Sequence, residues 1–160
     1  MTTEQIWTLV QQGFVDTLYM TIPATILAYL VGLPLGVLLV ITRKGGIRPM
    51  PTFNKVLDVV INFLRSVPFI ILLVMLFPVT RVVMGTSVGT RSIIFPLFVR
   101  AFPRAAGMVE SALSEVDAGL IEAAQCMGRS MTQFIRKVLV PEALPGLIRG
   151  AAICVNSIVA

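Results

Sequence analysis

The 160-residue sequence contains no histidine and only two cysteines, Cys126 and Cys154. Zinc sites and Cys/His nucleophile pairs depend on these residue types, so neither a metal site nor a catalytic set of that kind is indicated. The two cysteines are too few and too far apart in sequence to suggest a disulfide scaffold. A Gly-x-x-x-x-Gly-Lys-Ser/Thr motif is also missing, so the sequence predicts no ATP bound to a P-loop of this chain.

Charged residues are scarce, at 13% of the chain, whereas 56% of the residues are hydrophobic. Soluble domains have a charged share of about 25%, so this composition predicts a membrane protein. The net charge is +5, but the basic residues flank apolar runs. We interpret them as topology signals and expect no nucleic-acid partner. The amino terminus lacks the basic segment and cleavage site of a secretory signal, so we expect the first apolar segment to be retained.

The first predicted span is the uncharged run from Thr17 to Thr42, which is long enough to cross about 30 Å of hydrocarbon. The amino terminus before it contains Glu4 and Asp16 and no basic residue. The loop after it is rich in basic residues: Arg43, Lys44, Arg48 and Lys55. This asymmetry predicts a cytoplasmic first loop and an external amino terminus.

A second span is predicted over residues 56–80. Asp58, Asn62 and Arg65 lie on one helical face at its beginning. Two interpretations are open: the stripe faces a pore or partner helix, or its members are interface anchors that reach the headgroups.

A third span is predicted from about Ser92, and it contains Arg100 and Arg104 on one face. An arginine facing lipid at the centre of a helix costs about 2.5–3.5 kcal/mol, so both should face water, a partner or a substrate path. A fourth span begins near Leu144 and contains Arg149 near its inner end. Either Arg149 is tolerated within this span or the span is incomplete at Ala160.

Gly32 and Gly36 have the small-xxx-small spacing that lets membrane helices approach closely. They are either a helix-packing face or glycines that a membrane helix merely tolerates.

A polar segment of about residues 115–141 separates the third and fourth spans. The alanine-rich stretch from Ala118 to Met127 favours a helix, and Gly128 is placed to end it in a left-handed conformation. Ser130 and Gln133 have capping-box spacing for a second helix. The residues alone leave open an amphipathic helix lying on the headgroups.

This segment resembles the Glu-Ala-Ala loop of the membrane subunits of ATP-binding-cassette importers. The loop pattern has Glu-Ala-Ala, a glycine after three residues and Ile-x-Leu-Pro at its end. The matched positions are Glu122, Ala123, Ala124, Gly128, Val138, Val140 and Pro141, and Gly119 precedes them in the stretch GLIEAAQCMG.

In that family the loop is the coupling helix, which docks into a groove of a cytoplasmic ATPase. The resemblance therefore implies a permease subunit without catalytic activity and with no cofactor or metal of its own, because ATP and Mg²⁺ are held by the partner ATPase.

Longer stretches, including VGLPLGVLLVITR and RKVLVPEALPGL, are similar to the permease subunits of bacterial methionine importers. The resemblance implies an all-α, polytopic permease of the type I importer fold in the bacterial inner membrane, forming one domain over residues 1–160. It further implies a homodimer, two ATPase subunits and an external substrate-binding lipoprotein, with uptake of D- or L-methionine. Such permeases have five spans, of which we expect about four here.

Arg100 and Arg104 depart from the small or apolar residues expected at these positions of the family. A pore-facing arginine could meet the carboxylate of a substrate, and the alternative is a role at a helix interface. Other function classes are a permease for another small amino acid, an ion-coupled transporter or a non-transporting scaffold. The ion-coupled class is disfavoured because acidic residues are nearly confined to the ends of the spans.

Overall fold

The computed structural model describes residues 3–86, 88–117, 119, 122–123, 126, 128 and 130–159. Regular structure in these residues is helical. The longer helices are α1 (Thr3–Thr42), α2 (Pro51–Ser66), α3 (Phe69–Met84) and α4 (Thr90–Ser114). The carboxyl-terminal part contains α5 (Met131–Phe134), a π-helical turn, π1 (Ile135–Leu139), α6 (Val140–Glu142) and α7 (Leu144–Val159).

Helices α1 and α4 form the centre of the molecule and run in parallel. A Cβ atom on Gly32 would lie 2.7 Å from Ala105 Cβ, and one on Gly36 would lie 2.6 Å from Val109 Cβ. Both contacts advance by four residues on each helix, which fixes the common direction. The backbones approach closely because neither glycine carries a side chain, so the packing of α1 on α4 depends on small residues.

Helix α7 packs against a neighbouring face of α4 and runs antiparallel to it. A Cβ atom on Gly146 would lie 2.9 Å from Ala112 Cβ, and one on Gly150 would lie 3.1 Å from Met108 Cβ. Tyr29 Oη of α1 also donates a hydrogen bond of 3.3 Å to the Leu147 carbonyl. Helices α1, α4 and α7 therefore form one packed unit.

The second predicted span is a helix pair and not a continuous helix. Helix α2 ends at Ser66, Val67 is extended with ψ of 125°, and α3 begins after Pro68 at an angle of 105° to α2. Proline has no N–H and disfavours a helical conformation in the residue before it, which explains the break. Asp58 and Arg65 lie before this point and an uncharged run follows it, but a single span was predicted across it.

The two halves of this pair lie at different levels of α4. The Arg65 guanidinium of α2 lies against Gly107, whereas Arg100 lies over the ring of Phe69 at the start of α3. Leu73 and Phe77 of α3 then line a cavity together with Ile93 near the beginning of α4. The pair thus contacts α4 at more than one level, and we count it as one candidate span with a break, called the broken span below.

By length and composition, α1 and α4 can each cross a membrane, and the pairs α2–α3 and α5–α7 raise the number of candidate spans to four. Helix α1 begins at Thr3, earlier than the predicted span, and its 40 residues are about 60 Å long. It therefore extends beyond the hydrocarbon region. Arg43 Nη1 donates a hydrogen bond of 3.2 Å to Ser114 Oγ, so α1 and α4 end at the same level. We call this end, with residues 43–50 and 115–142, the loop end.

Candidate functional site

The segment between α4 and α7 contains exposed residues at the loop end. Gly119, Glu122, Ala123 and Cys126 are helical and exposed, and Gly128 follows with a positive φ of 64°. A residue with a side chain would be strained in this left-handed conformation, so glycine suits the position. Ala124 and most of the predicted helix from Ala118 to Met127 lie outside the described residues.

Two buried side chains attach this exposed segment to the packed helices. Phe134 of α5 is 4% exposed and Leu139 of π1 is 1% exposed. They share one hydrophobic cluster with Ile41 of α1, Leu113 of α4 and Leu147 of α7. A displacement of the exposed segment would therefore disturb its packing against all three helices.

The π-helical turn π1 ends two residues before Pro141. Its widened geometry includes a hydrogen bond from the Val140 N–H to the Ile135 carbonyl, five residues back. Because Pro141 has no N–H, it cannot donate to the Lys137 carbonyl as an α-helix would require. Pro141 is itself exposed, at the point where the chain returns toward α7. Wide turns of this kind occur often at functional sites of helical proteins.

The two candidate path residues on α4 have different partners. Arg104 Nη1 donates a hydrogen bond to Ser157 Oγ of α7. The Arg100 guanidinium lies 4.9 Å from the centroid of the Phe69 ring, next to the break between α2 and α3. Within the described part of the chain, no hydrogen bond engages the N–H groups of Arg100. Arg104 therefore joins two helices, whereas Arg100 keeps donors available at the broken span.

The polar stripe of α2 also divides into two parts. Arg65 lies against α4, where a Cβ atom on Gly107 would be 2.8 Å from Arg65 Nη1. Asn62 Nδ2 donates a hydrogen bond of 2.8 Å to Asp58 Oδ1 within α2, and both residues are exposed. Arg65 thus contacts a partner helix, whereas Asp58 and Asn62 satisfy each other at the surface.

Sequence reasoning missed most of the small residues that hold the helices together. Ala24 and Ala28 are both 0% exposed and continue the four-residue spacing of Gly32 and Gly36 along α1. Gly146 and Gly150 repeat the same spacing on α7. A search for small residues every four positions, extended to alanine, would have found both sets.

Among the described residues, no three His, Cys, Asp or Glu side chains are grouped to hold a metal ion.

Comparison with known proteins gives relatives over nearly the whole chain. The D-methionine transport system permease protein MetI of Salmonella typhimurium is 46% identical over 159 residues, which cover 99% of this chain and 73% of the relative. The protein of the same name from Escherichia coli K12 has the same identity and coverage. A probable D-methionine transport system permease protein MetI of Pasteurella multocida is 45% identical over 157 residues, covering 98% of this chain and 72% of the relative.

Solved structures agree with these relatives. A chain of the MetNI methionine ABC transporter in an inward-facing conformation matches with a TM-score of 0.95 at 46% identity, covering 99% of this chain and 73% of that one. An amino acid ABC transporter crystallised with histidines shares the fold at 19% identity, with a TM-score of 0.64 and coverage of 99% and 73%. The predicted all-α permease architecture is thereby confirmed. Residues 32–160 match the family model, and the chain belongs to the binding-protein-dependent transport system inner membrane component family.

Proposed function

We propose that this chain is the membrane-spanning permease subunit of an ABC importer and forms the path for ATP-driven uptake of methionine, as the D- or L-isomer. The observation that carries the proposal is its match to a MetNI chain, with a TM-score of 0.95 over 99% of the chain. Methionine is the substrate named for that transporter and for the curated relatives, and the 46% identity supports transferring it to this chain.

The proposed partner at the loop end is a cytoplasmic ATPase, which would hold ATP and Mg²⁺. The exposed residues Gly119, Glu122 and Ala123 offer it a small, polar surface, to which we add Ala124 from the sequence pattern. Alanine and glycine let another backbone come close, and the Glu122 carboxylate accepts charge-assisted hydrogen bonds. This assignment makes the loop end cytoplasmic and the amino terminus external, as the basic residues of the first loop favour.

Force from the ATPase would enter the helices through the buried anchors of the segment. Phe134 and Leu139 belong to one buried cluster with residues of α1, α4 and α7, so a shift of the coupling surface should affect more than one helix. The part of the chain between that surface and α7 begins at Gly128 and ends at Pro141. The chain acts as one permease domain, in which the state of the motor favours one arrangement of the spans over the other.

Two copies of the permease would enclose the path, with an external substrate-binding lipoprotein delivering the amino acid. Arg100 is our candidate for meeting the substrate carboxylate, because its N–H groups lie at the broken span and a guanidinium binds carboxylates in a bidentate manner. Broken spans commonly form the substrate sites of membrane transporters. Arg104, which bonds to Ser157, is assigned to the helix interface that encloses the path.

The test is methionine uptake into vesicles that contain this chain and its candidate ATPase, with and without ATP. We expect ATP-dependent uptake by the intact complex. Glu122→Arg and Gly128→Pro should abolish uptake while the permease stays folded. Glu4→Arg is the matched control, since Glu4 is also exposed but lies at the opposite end of α1.

Uptake by Glu122→Arg at the unaltered rate would disprove the coupling role. Uptake of a different amino acid by the intact complex would be consistent with the coupling role but would disprove methionine as the substrate. Arg100→Ala should lower uptake by raising KM, and full uptake by a folded Arg100→Ala complex would remove Arg100 from the substrate path.

A further inference from the structure

A groove of about 500 Å³ lies where the first loop meets α2. Its apolar floor is formed by Val56, Val59 and Val60, which are 60%, 58% and 50% exposed. Lys44 and Lys55 line the same groove, and no acidic side chain is among the lining residues. The groove thus combines an uncovered apolar surface with two positive charges.

Lys55 and the three valines follow one another along the first part of α2. Asn54 Nδ2 donates hydrogen bonds to the Leu39 carbonyl (2.7 Å) and to Thr42 Oγ1 (3.0 Å), so α2 begins at the level where α1 ends. Arg65, at the other end of α2, reaches Gly107, well inside α4. Lys44 and Lys55 therefore lie where α1 ends and α2 begins, and Val59 and Val60 follow Lys55 by about one turn of α2.

The neighbouring basic residues of the loop do not share this arrangement. Arg43 donates its hydrogen bond to Ser114 Oγ, away from the groove. Arg48 is exposed in the same loop but does not line the groove. Lys44 and Lys55 therefore differ from Arg43 and Arg48 because they lie beside an apolar surface. A ligand that consisted of a headgroup alone would not need this surface.

We propose that this groove binds one anionic phospholipid of the inner leaflet, with the phosphate between Lys44 and Lys55 and the upper acyl chain on the three valines. Basic pockets at the cytoplasmic side of membrane helices favour anionic headgroups, and lysine places its ammonium group at that level while its stem follows apolar surface. Assignment to the inner leaflet rests on the orientation proposed above, whereas the binding itself does not depend on methionine or ATP.

The experiment is native mass spectrometry of the purified permease–ATPase complex with added phosphatidylglycerol or phosphatidylcholine. We expect one phosphatidylglycerol per permease to be retained in preference to phosphatidylcholine. Lys44→Gln and Lys55→Gln should each weaken retention about fivefold, and the double variant roughly 30-fold, as expected for single lysines near an anionic surface. Arg48→Gln is the matched control and should weaken retention less than either lysine variant, because Arg48 does not line the groove.

Equal retention of the two lipids would overturn the proposal, and so would an Arg48→Gln effect as large as that of the lysine variants. Glycerol phosphate should not compete at concentrations where phosphatidylglycerol is retained, since it lacks the acyl chain that the valines contact. A photoreactive group at position 60 that cross-links to a second permease or to the ATPase, and not to lipid, would assign the groove to a protein partner instead. Methionine uptake in the same preparation is a separate readout, so loss of lipid selectivity with normal uptake refutes the lipid site alone.

Discussion

Two regions of the molecule differ in how tightly they are packed: the contact between α1 and α4, and the segment 115–142. In the first, Ala24, Ala28 and Ala105 are all 0% exposed, and glycines bring two backbones into contact. In the second, every described residue from 119 to 130 is exposed, and Phe134 and Leu139 are its main buried anchors. The helix contact has little room for change, whereas the segment is attached at few points. Stability should therefore depend on the first region and transport on the second.

The largest expected effect is the loss of the fold when a side chain enters the helix contact. A Cβ atom on Gly36 would lie 2.7 Å from the Ala106 carbonyl oxygen, a backbone atom that cannot move aside by changing rotamer. Overpacking costs about 1–3 kcal/mol even where side chains can adjust, so Gly36→Leu should cost more than about 3 kcal/mol. The thermal unfolding temperature of the purified permease measures this.

Gly13→Leu is the matched control. Gly13 lies on the same helix as Gly36, but a Cβ atom on it would have no neighbour within 4 Å. This variant should leave the unfolding temperature nearly unchanged. Equal losses in the two variants would mean that α1 resists leucine for a reason other than its contact with α4.

The second prediction concerns transport without loss of the fold. Gly128 has a φ of 64°, and a side chain in this conformation costs roughly 1–2 kcal/mol, which should distort the exposed segment and leave the packed helices intact. If the segment relaxes to relieve this strain, its native arrangement is populated about tenfold less, since 1.4 kcal/mol is a factor of ten in an equilibrium constant. Gly128→Val should therefore reduce ATP-driven uptake by about that factor with a nearly unchanged unfolding temperature.

Gly45→Val provides the comparison, because Gly45 has a φ of 84° in the first loop and also has no neighbour near its Cβ position. It introduces similar strain at the loop end outside the coupling segment and should preserve uptake. Equal uptake by the two variants would contradict the special role of residues 115–142.

The same division explains which features the sequence could predict. The span over 17–42 follows from a long uncharged run, and the position of Gly128 follows from a helix-ending pattern, because both are local properties. The break at Val67 and Pro68 was missed, since a proline is also tolerated inside α1 and α4, and only the neighbouring helices decide where it interrupts a span. The different partners of Arg100 and Arg104 depend on α3 and α7, so their spacing on α4 could not separate them.

A third, intermediate effect should come from the contact of α4 with α7. Arg104 donates a hydrogen bond to Ser157 Oγ, and bonds that involve a charged group contribute about 1.5–3 kcal/mol when they are partly buried. Arg104→Ala should therefore lower the free energy of unfolding by about 2 kcal/mol, whereas Arg91→Ala, at an exposed position of the same helix, should not. Denaturant titration of the purified permease gives this value. If Arg104→Ala left stability unchanged but abolished uptake, Arg104 would be assigned to the substrate path and not to the helix interface.

The smallest effect is expected from an ion pair between the two regions. Arg149 Nη2 of α7 lies 3.9 Å from Glu115 Oε2 at the end of α4, and their side chains are 67% and 62% exposed. Water and salt screen such a pair, so it should contribute less than about 1 kcal/mol. A double-mutant cycle of Glu115→Gln and Arg149→Gln in denaturant titrations measures the coupling energy. A coupling above about 1 kcal/mol would show that segment 115–142 is held to α7 by more than its buried anchors. The segment would then be part of the packed unit, and the contrast between a region for stability and a region for transport would not hold.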